Sequence, residues 1–131
     1  MELCDTNVIS ELVRPRPNPG VLSWASEARE VAVSVITLEE IAYGLSWRPN
    51  ARVEQAIREL LLDHLVVLPI TVEIATRAGR VRGEQQRKGV TRTQADSLIA
   101  GTALVHRLPL VTRNTRDFEG LGIPLLNPFT E

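Results

Sequence analysis

The feature that most constrains this chain is an alternation: short apolar runs, rich in β-branched residues, are each followed by a segment whose apolar positions recur at helical spacing. Glu2 to Cys4, Val31 to Val35, Leu65 to Leu68, Leu108 to Thr112 and Leu121 to Leu126 read as strands. Between them lie amphipathic pieces. Val8, Ile9, Leu12 and Val13 lie on one helical face; Leu38, Ile41, Ala42 and Leu45 on another; Val53, Ala56, Ile57, Leu60 and Leu61 on a third; Ile74, Ala78 and Val81 on a fourth. The cluster Pro15, Pro17, Asn18, Pro19 and Gly20 breaks the first helix before a second piece containing Val21, Leu22 and Trp24, and Arg48-Pro49-Asn50 and Gly89 end two later ones. Pro124 makes the last strand an edge strand. Strands alternating with helices predict an α/β fold: a mainly parallel central sheet flanked by helices on both faces, in three layers.

At 131 residues the chain is long enough for one core, and the expectation is a single domain over 1–131. No apolar run approaches the roughly 20 residues of a membrane span. Met1 to Asp5 lacks the basic start and apolar run of a signal peptide, and Cys4 is the only cysteine, so a reducing cytoplasm is expected, with no internal disulfide or Cys-rich zinc site. His64 and His106 have no partner at zinc-site spacing and read as packing or surface residues.

The net charge of −1 makes no case for nucleic acid by itself. Its distribution is less even. Arg77, Arg80, Arg82, Arg87, Lys88 and Arg92 stand against one acid, Glu84, and read either as a solvated helix face or as a phosphate-facing patch. Trp24 reads as a packing anchor; with Trp47 it is also a candidate for a contact surface, which core packing explains equally well.

The segment Thr93 to His106, TQADSLIAGTALVH, carries one carboxylate, Asp96, at the head of an otherwise apolar helix. Thr93 and Asp96 have the S/T-x-x-acid spacing of a capping box, and Thr37 and Glu40 repeat it. A second reading of Asp96 is a metal ligand. Asp5, Glu40, Asp96 and Asp117 all fall where a strand or loop turns into a helix, and in an open parallel sheet such positions gather beyond the carboxyl ends of the strands. Four acids in one pocket must take up protons or be neutralised by a cation. Hard divalent ions prefer oxygen donors, and Mg²⁺ usually takes a few carboxylates while keeping waters and binding a substrate phosphate. Such a set suits phosphodiester hydrolysis by a metal-activated water. Thr6, Asn7, Thr112 and Asn114 are placed to hold carboxylates or waters.

These residues also resemble a known family. Asp5 to Leu12 (DTNVISEL), Ser34 to Gly44 (SVITLEEIAYG), Asp96 to Ala100 (DSLIA), Thr112 to Phe118 (TRNTRDF) and Leu126 to Phe129 (LNPF) are similar, in this order, to the PIN-domain endoribonucleases, in particular the VapC and FitB-like toxins of type II toxin–antitoxin pairs. The resemblance implies a PIN-like fold and Asp5 and Asp96 as the main Mg²⁺ ligands, with Mn²⁺ an alternative ion. It also implies Glu40 as the third acid and Asp117 as a fourth. Glu39 adjoins Glu40, and the four-residue spacing to Gly44 favours Glu40. Gly101 stands where small alanine-like residues are usual, at a helix cost of about 1 kcal/mol. The implied partners are an RNA substrate, an antitoxin that occupies the active site, often through an arginine, and a second copy of the chain.

Two other enzyme classes fit less well. A haloacid-dehalogenase-like phosphatase needs a second acid two residues after the first, where Asn7 stands, and a receiver domain needs a lysine where Thr112-Arg113 stands. The non-enzymatic reading is a PIN-like RNA- or protein-binding domain in which the acids serve only as caps.

Overall fold

The computed structural model describes residues 1–131. In chain order the elements are β1 (Glu2–Cys4), α1 (Thr6–Leu12), α2 (Pro19–Glu27), β2 (Val31–Ser34), α3 (Val35–Trp47), α4 (Ala51–Asp63), β3 (Leu65–Leu68), α5 (Val72–Arg87), α6 (Gln94–His106), β4 (Leu110–Val111), a 3₁₀ turn (Thr115–Phe118) and β5 (Leu125–Leu126). The five strands form one all-parallel sheet in the order β3-β2-β1-β4-β5. No helix is long and apolar enough to cross a membrane.

Because side chains alternate along a strand, each central strand feeds two cores. Leu3, Ala32 and Leu110 point to one face, where they meet Ile99, Ala100 and Ala103 of α6 with Phe118 and Ile123. Their neighbours Cys4, Val33 and Val111 point to the other, against Val8 and Ile9 of α1, Val13 at its end, Val21 of α2 and Ile57 of α4. The helices therefore cover both faces, as the alternation in the sequence predicts. Burial in this second core, with the charges of Asp5 and Glu2 adding to it, pushes the Cys4 thiol well above its usual range, so it is inert.

Helix α5 does not touch the sheet broadly; it lies on α6. The contact is close because Gly101 faces it. A Cβ there would stand 2.9 Å from the carbonyl oxygen of Ile74 and 3.0 Å from the Ala78 Cβ. Helix α5 ends as expected at Gly89, with φ +82°, and the amides of Gly89 and Val90 return to the carbonyls of Gln86 and Gln85 in a Schellman motif.

Several boundaries differ from the sequence reading. Ser34, not Thr37, caps α3, its hydroxyl accepting from the Ile36 amide at 3.0 Å, so the helix begins a turn earlier and the Thr37/Glu40 spacing is not a capping box. β4 is confined to Leu110–Val111 and β5 to Leu125–Leu126. Gly122, at φ +78°, bends the chain within Leu121 to Leu126, where extended backbone is expected, and Gly120, at φ +77°, bends it just before that stretch. β5 is an edge strand, as Pro124 implied.

Candidate active site

The strand order reverses direction between β1 and β4, and the crevice at their carboxyl ends is the usual ligand position in such a sheet. Asp5 follows β1 directly and is buried, with 7 % of its surface exposed. Its Oδ1 accepts from the Thr6 amide at 2.8 Å, capping α1. Its Oδ2 accepts from the Thr112 hydroxyl, just past β4, at 2.8 Å and from Asn7 Nδ2 at 3.3 Å. Thr112 Oγ1 in turn accepts from the Asn114 amide at 3.0 Å, and Asn7 Oδ1 accepts from the Arg113 amide at 3.3 Å. The four residues expected to support the acids thus form one network, which ties the end of β1 to the loop after β4.

Glu40 reaches the same edge from the second turn of α3. The Thr6 hydroxyl donates to its Oε1 at 2.7 Å, and Thr6 and Thr37 share a further hydroxyl contact at 2.9 Å. Glu39 is exposed. Asp96 stands in the first turn of α6, where its amide donates to Thr93 Oγ1 at 3.1 Å. That is half of a capping box: the Asp96 carboxylate makes no return bond to the Thr93 amide, and is left half-buried. Asp117 is exposed in the 3₁₀ turn, its amide bonded to the Asn114 carbonyl.

The electrostatics connect all four. Burial raises the Asp96 carboxyl above its usual range; the charge of Asp5 raises it further, the Thr93 hydroxyl opposes, and Asp117 and Glu40 add to the rise. Asp5 is also raised by burial, against the hydrogen bonds from Thr112 and Thr6, with Asp117 again unfavourable. No three acids converge tightly enough to enclose a cation by themselves. The set is open: Asp5 is buried, Glu40 and Asp96 are half-buried and Asp117 is exposed.

Beside Glu40 a cavity of about 230 Å³ opens between α1, α3 and α4, lined among others by Thr6, Arg14, Glu40, Gly44 and Arg52. Nothing lies within 4 Å of where a Gly44 Cβ would be, so this side of α3 is open. Along the same helical face Tyr43 and Trp47 are 64 % and 66 % exposed, their ring centroids 6.2 Å apart, and the Arg48 guanidinium lies 4.9 Å from the Trp47 ring centroid. Trp47 is therefore not core. Trp24 is a partly buried packing residue whose Nε1 donates to Glu2 at 3.1 Å. His64 and His106 are exposed surface residues, the first just past α4 and the second at the end of α6.

Sequence reasoning missed two polar residues. Glu11 is buried on the apolar side of α1, where it accepts from the Asn18 amide at 2.9 Å and pairs with Arg14 at 3.2 Å, fixing the α1–α2 turn. The cluster of turn residues just downstream was the available signal. Arg92 belongs to the basic stretch by sequence, but it turns inward; Arg77, Arg80, Arg82, Arg87 and Lys88 are exposed, without ion pairs.

Comparison with known proteins agrees with this fold. The PIN-domain family model matches residues 3–123. Toxin FitB of Neisseria gonorrhoeae is 31 % identical over 98 % of this chain and 99 % of its own. The tRNA(fMet)-specific endonuclease VapC of Shigella flexneri is 29 % identical over 92 % and 91 %. A toxin–antitoxin complex from Klebsiella pneumoniae contains a chain that superposes with a TM-score of 0.77 at 29 % identity, covering all of both chains. With its all-parallel five-stranded sheet covered by helices on both faces, this chain belongs to the PIN-domain family and, within it, to the VapC/FitB group of toxin–antitoxin toxins.

Proposed function

We propose that this protein is a divalent-metal-dependent endoribonuclease, the toxin of a toxin–antitoxin pair, built as one PIN domain and acting as a homodimer. The observation that carries this is the pairing of Asp5 with Asp96. Two carboxylates from distant parts of the chain are both held partly out of water, the charge of Asp5 raises the proton affinity of Asp96, and Asp117 adds charge of the same sign to both, with Glu40 adding to it at Asp96. A protein gains nothing in stability from such a cluster unless something positive is bound there.

The donor set suits Mg²⁺ or Mn²⁺. It is all oxygen, it lacks Cys and His, and it is too open to replace every water around the ion, which is how Mg²⁺ is commonly held. Asp5 and Asp96 would be its main ligands, with Glu40 and Asp117 completing the acidic set. Bound there, the ion would lower the pKa of a water and offset charge developing on a phosphodiester. The protein's own groups supply the orientation. Thr112, Thr6 and Asn7 fix both oxygens of Asp5, and the Thr6 hydroxyl holds Glu40. RNA as substrate rests on the named activity of the Shigella flexneri relative, and an antitoxin partner on the Klebsiella pneumoniae complex. The cavity beside Glu40, with Arg14 and Arg52 on its wall, gives either a nucleotide or a partner segment a place next to the acids.

The test is cleavage of single-stranded RNA by purified protein with Mg²⁺ or Mn²⁺, abolished by chelator. Asp96→Asn is expected to remain folded and to lose about 10²-fold or more of the activity. Cleavage that persists in both Asp5→Asn and Asp96→Asn overturns the assignment. RNA binding without any cleavage would support a non-catalytic binding domain instead.

A further inference from the structure

The 3₁₀ turn that carries Asp117 has little to hold it in place. It is four residues long, Asn114 provides no side-chain cap, and it closes on a 3.4 Å bond from the Glu119 amide to the Arg116 carbonyl. Phe118 anchors it to the core from one side. From the other side comes Arg92, in the connection between α5 and α6. Its Nη1 donates to the Arg116 carbonyl at 3.1 Å and its Nη2 to the Glu119 carbonyl at 2.9 Å, the two carbonyls that bracket Asp117 and Phe118. Nη2 also donates to Oε1 of Gln85, a buried residue of α5, at 3.3 Å. The Schellman turn at Gly89 brings Gln85 and Arg92 together. Arg92 has no carboxylate partner, and its Nε is buried without any partner, a desolvation cost that the arrangement bears while both Nη groups engage the turn.

We infer that Arg92 is a positioning residue: its guanidinium clamps the backbone on either side of Asp117 and so sets where that carboxylate stands relative to Asp5 and Asp96. This rests on the reading of Asp117 as a member of the acidic set. An arginine is required because a planar fork can reach two separate carbonyls and Gln85 at once, whereas an ammonium is a single point. The basic stretch of the sequence thus contains one residue that serves the site from behind and never faces a phosphate.

The experiment compares wild type, Arg92→Ala, Arg92→Lys, Asp117→Asn and the double variant Arg92→Ala/Asp117→Asn. The readouts are amide hydrogen exchange and the kcat and KM of Mn²⁺-dependent cleavage of a single-stranded RNA. Expected for Arg92→Ala are faster exchange within residues 115–119, unchanged sheet amides, and a kcat lowered on the order of tenfold with KM little changed. Arg92→Lys should fall between it and wild type. In the Asp117→Asn background, Arg92→Ala should cost no more than about twofold, because the group it positions is already gone. Arg92→Gln replaces Arg92→Ala, under the same criteria, if the alanine variant does not fold. Unchanged exchange at 115–119, an unchanged kcat despite a loosened turn, or a loss of kcat undiminished in the Asp117→Asn background overturns the inference. If wild type cuts no RNA, the nuclease reading fails on its own. Exchange and Mn²⁺ affinity then decide: a loosened turn with weaker Mn²⁺ binding in Arg92→Ala supports the clamp, and wild-type values for either reject it.

Discussion

Thr6 and Glu40 stand 34 positions apart in the chain, yet the Thr6 hydroxyl donates to Glu40 Oε1 at 2.7 Å. A hydroxyl has one hydrogen to give, so the 2.9 Å contact between Thr6 and Thr37 is donated by Thr37. The proton order Thr37 to Thr6 to Glu40 leaves Glu40 an oriented acceptor. Replacing Thr6 with valine keeps the shape and removes the donor. Activity is expected to fall by about 10- to 100-fold, the usual cost of losing a group that orients a ligand. Thr6→Ser should keep most of it, and RNA cleavage assays of the two variants, with melting curves as a control for folding, distinguish the hydroxyl's role from simple packing. Equal activity in Thr6→Val and wild type would show that Glu40 needs no such partner.

The acidic cluster should make the metal-free protein sensitive to pH. Burial, then the charge of Asp5, raises the Asp96 carboxyl above its ordinary value, and burial does the same to Asp5. Below about pH 4 both the folded and unfolded states hold these protons. As pH rises, the unfolded chain releases them first, so the folded state binds more protons, and stability declines until the folded carboxyls ionise too. In chelator, the melting temperature is expected to fall on going from mildly acidic to neutral pH. Asp96→Asn should flatten that decline and melt higher than wild type at neutral pH. Adding Mg²⁺ at neutral pH should raise the wild-type melting temperature and not that of Asp96→Asn. A wild-type curve that rises across the same window would contradict the direction of both shifts.

Much of this arrangement is visible in the sequence because it is periodic or local. The pairs Leu3/Cys4, Ala32/Val33 and Leu110/Val111 feed opposite cores, a consequence of strand geometry alone. Asp5 and Asp96 are conspicuous because each starts a helix with no other acid in its first turn. What stays hidden depends on contacts between distant segments. Arg92 is one cation among six until the 115–119 turn folds back over it. Thr37 and Glu40 mimic a capping box, but Ser34 lies nearer the end of β2 and takes the cap, which frees Thr37 to bond Thr6. Asp117 falls in a turn whose position is set by Phe118 and Arg92, neither of which identifies itself from spacing.

Gly101 illustrates a residue whose role reverses between the two levels. By helix propensity alone, Gly101→Ala should stabilise α6 by about 1 kcal/mol. In the structure the new Cβ would meet the Ile74 carbonyl oxygen at 2.9 Å, and backbone cannot swing aside as a flexible side chain can. Forcing the two helices apart costs about 1–3 kcal/mol in a well-packed contact, so the gain is offset and the expected outcome is a net loss of up to about 2 kcal/mol, read from the shift of the denaturant midpoint at unchanged slope. Ala78→Gly in the same chain should recover only part of it: it removes the 3.0 Å neighbour and leaves the Ile74 carbonyl in place. Because α6 carries Asp96 at its start and packs on the sheet through Ile99, Ala100 and Ala103, any shift that accommodates the methyl displaces that carboxylate as well. RNA cleavage by Gly101→Ala should therefore fall even under conditions where the variant is fully folded. A stabilised variant with wild-type activity would mean that α5 yields freely, and that its close approach to α6 sets neither stability nor the position of Asp96.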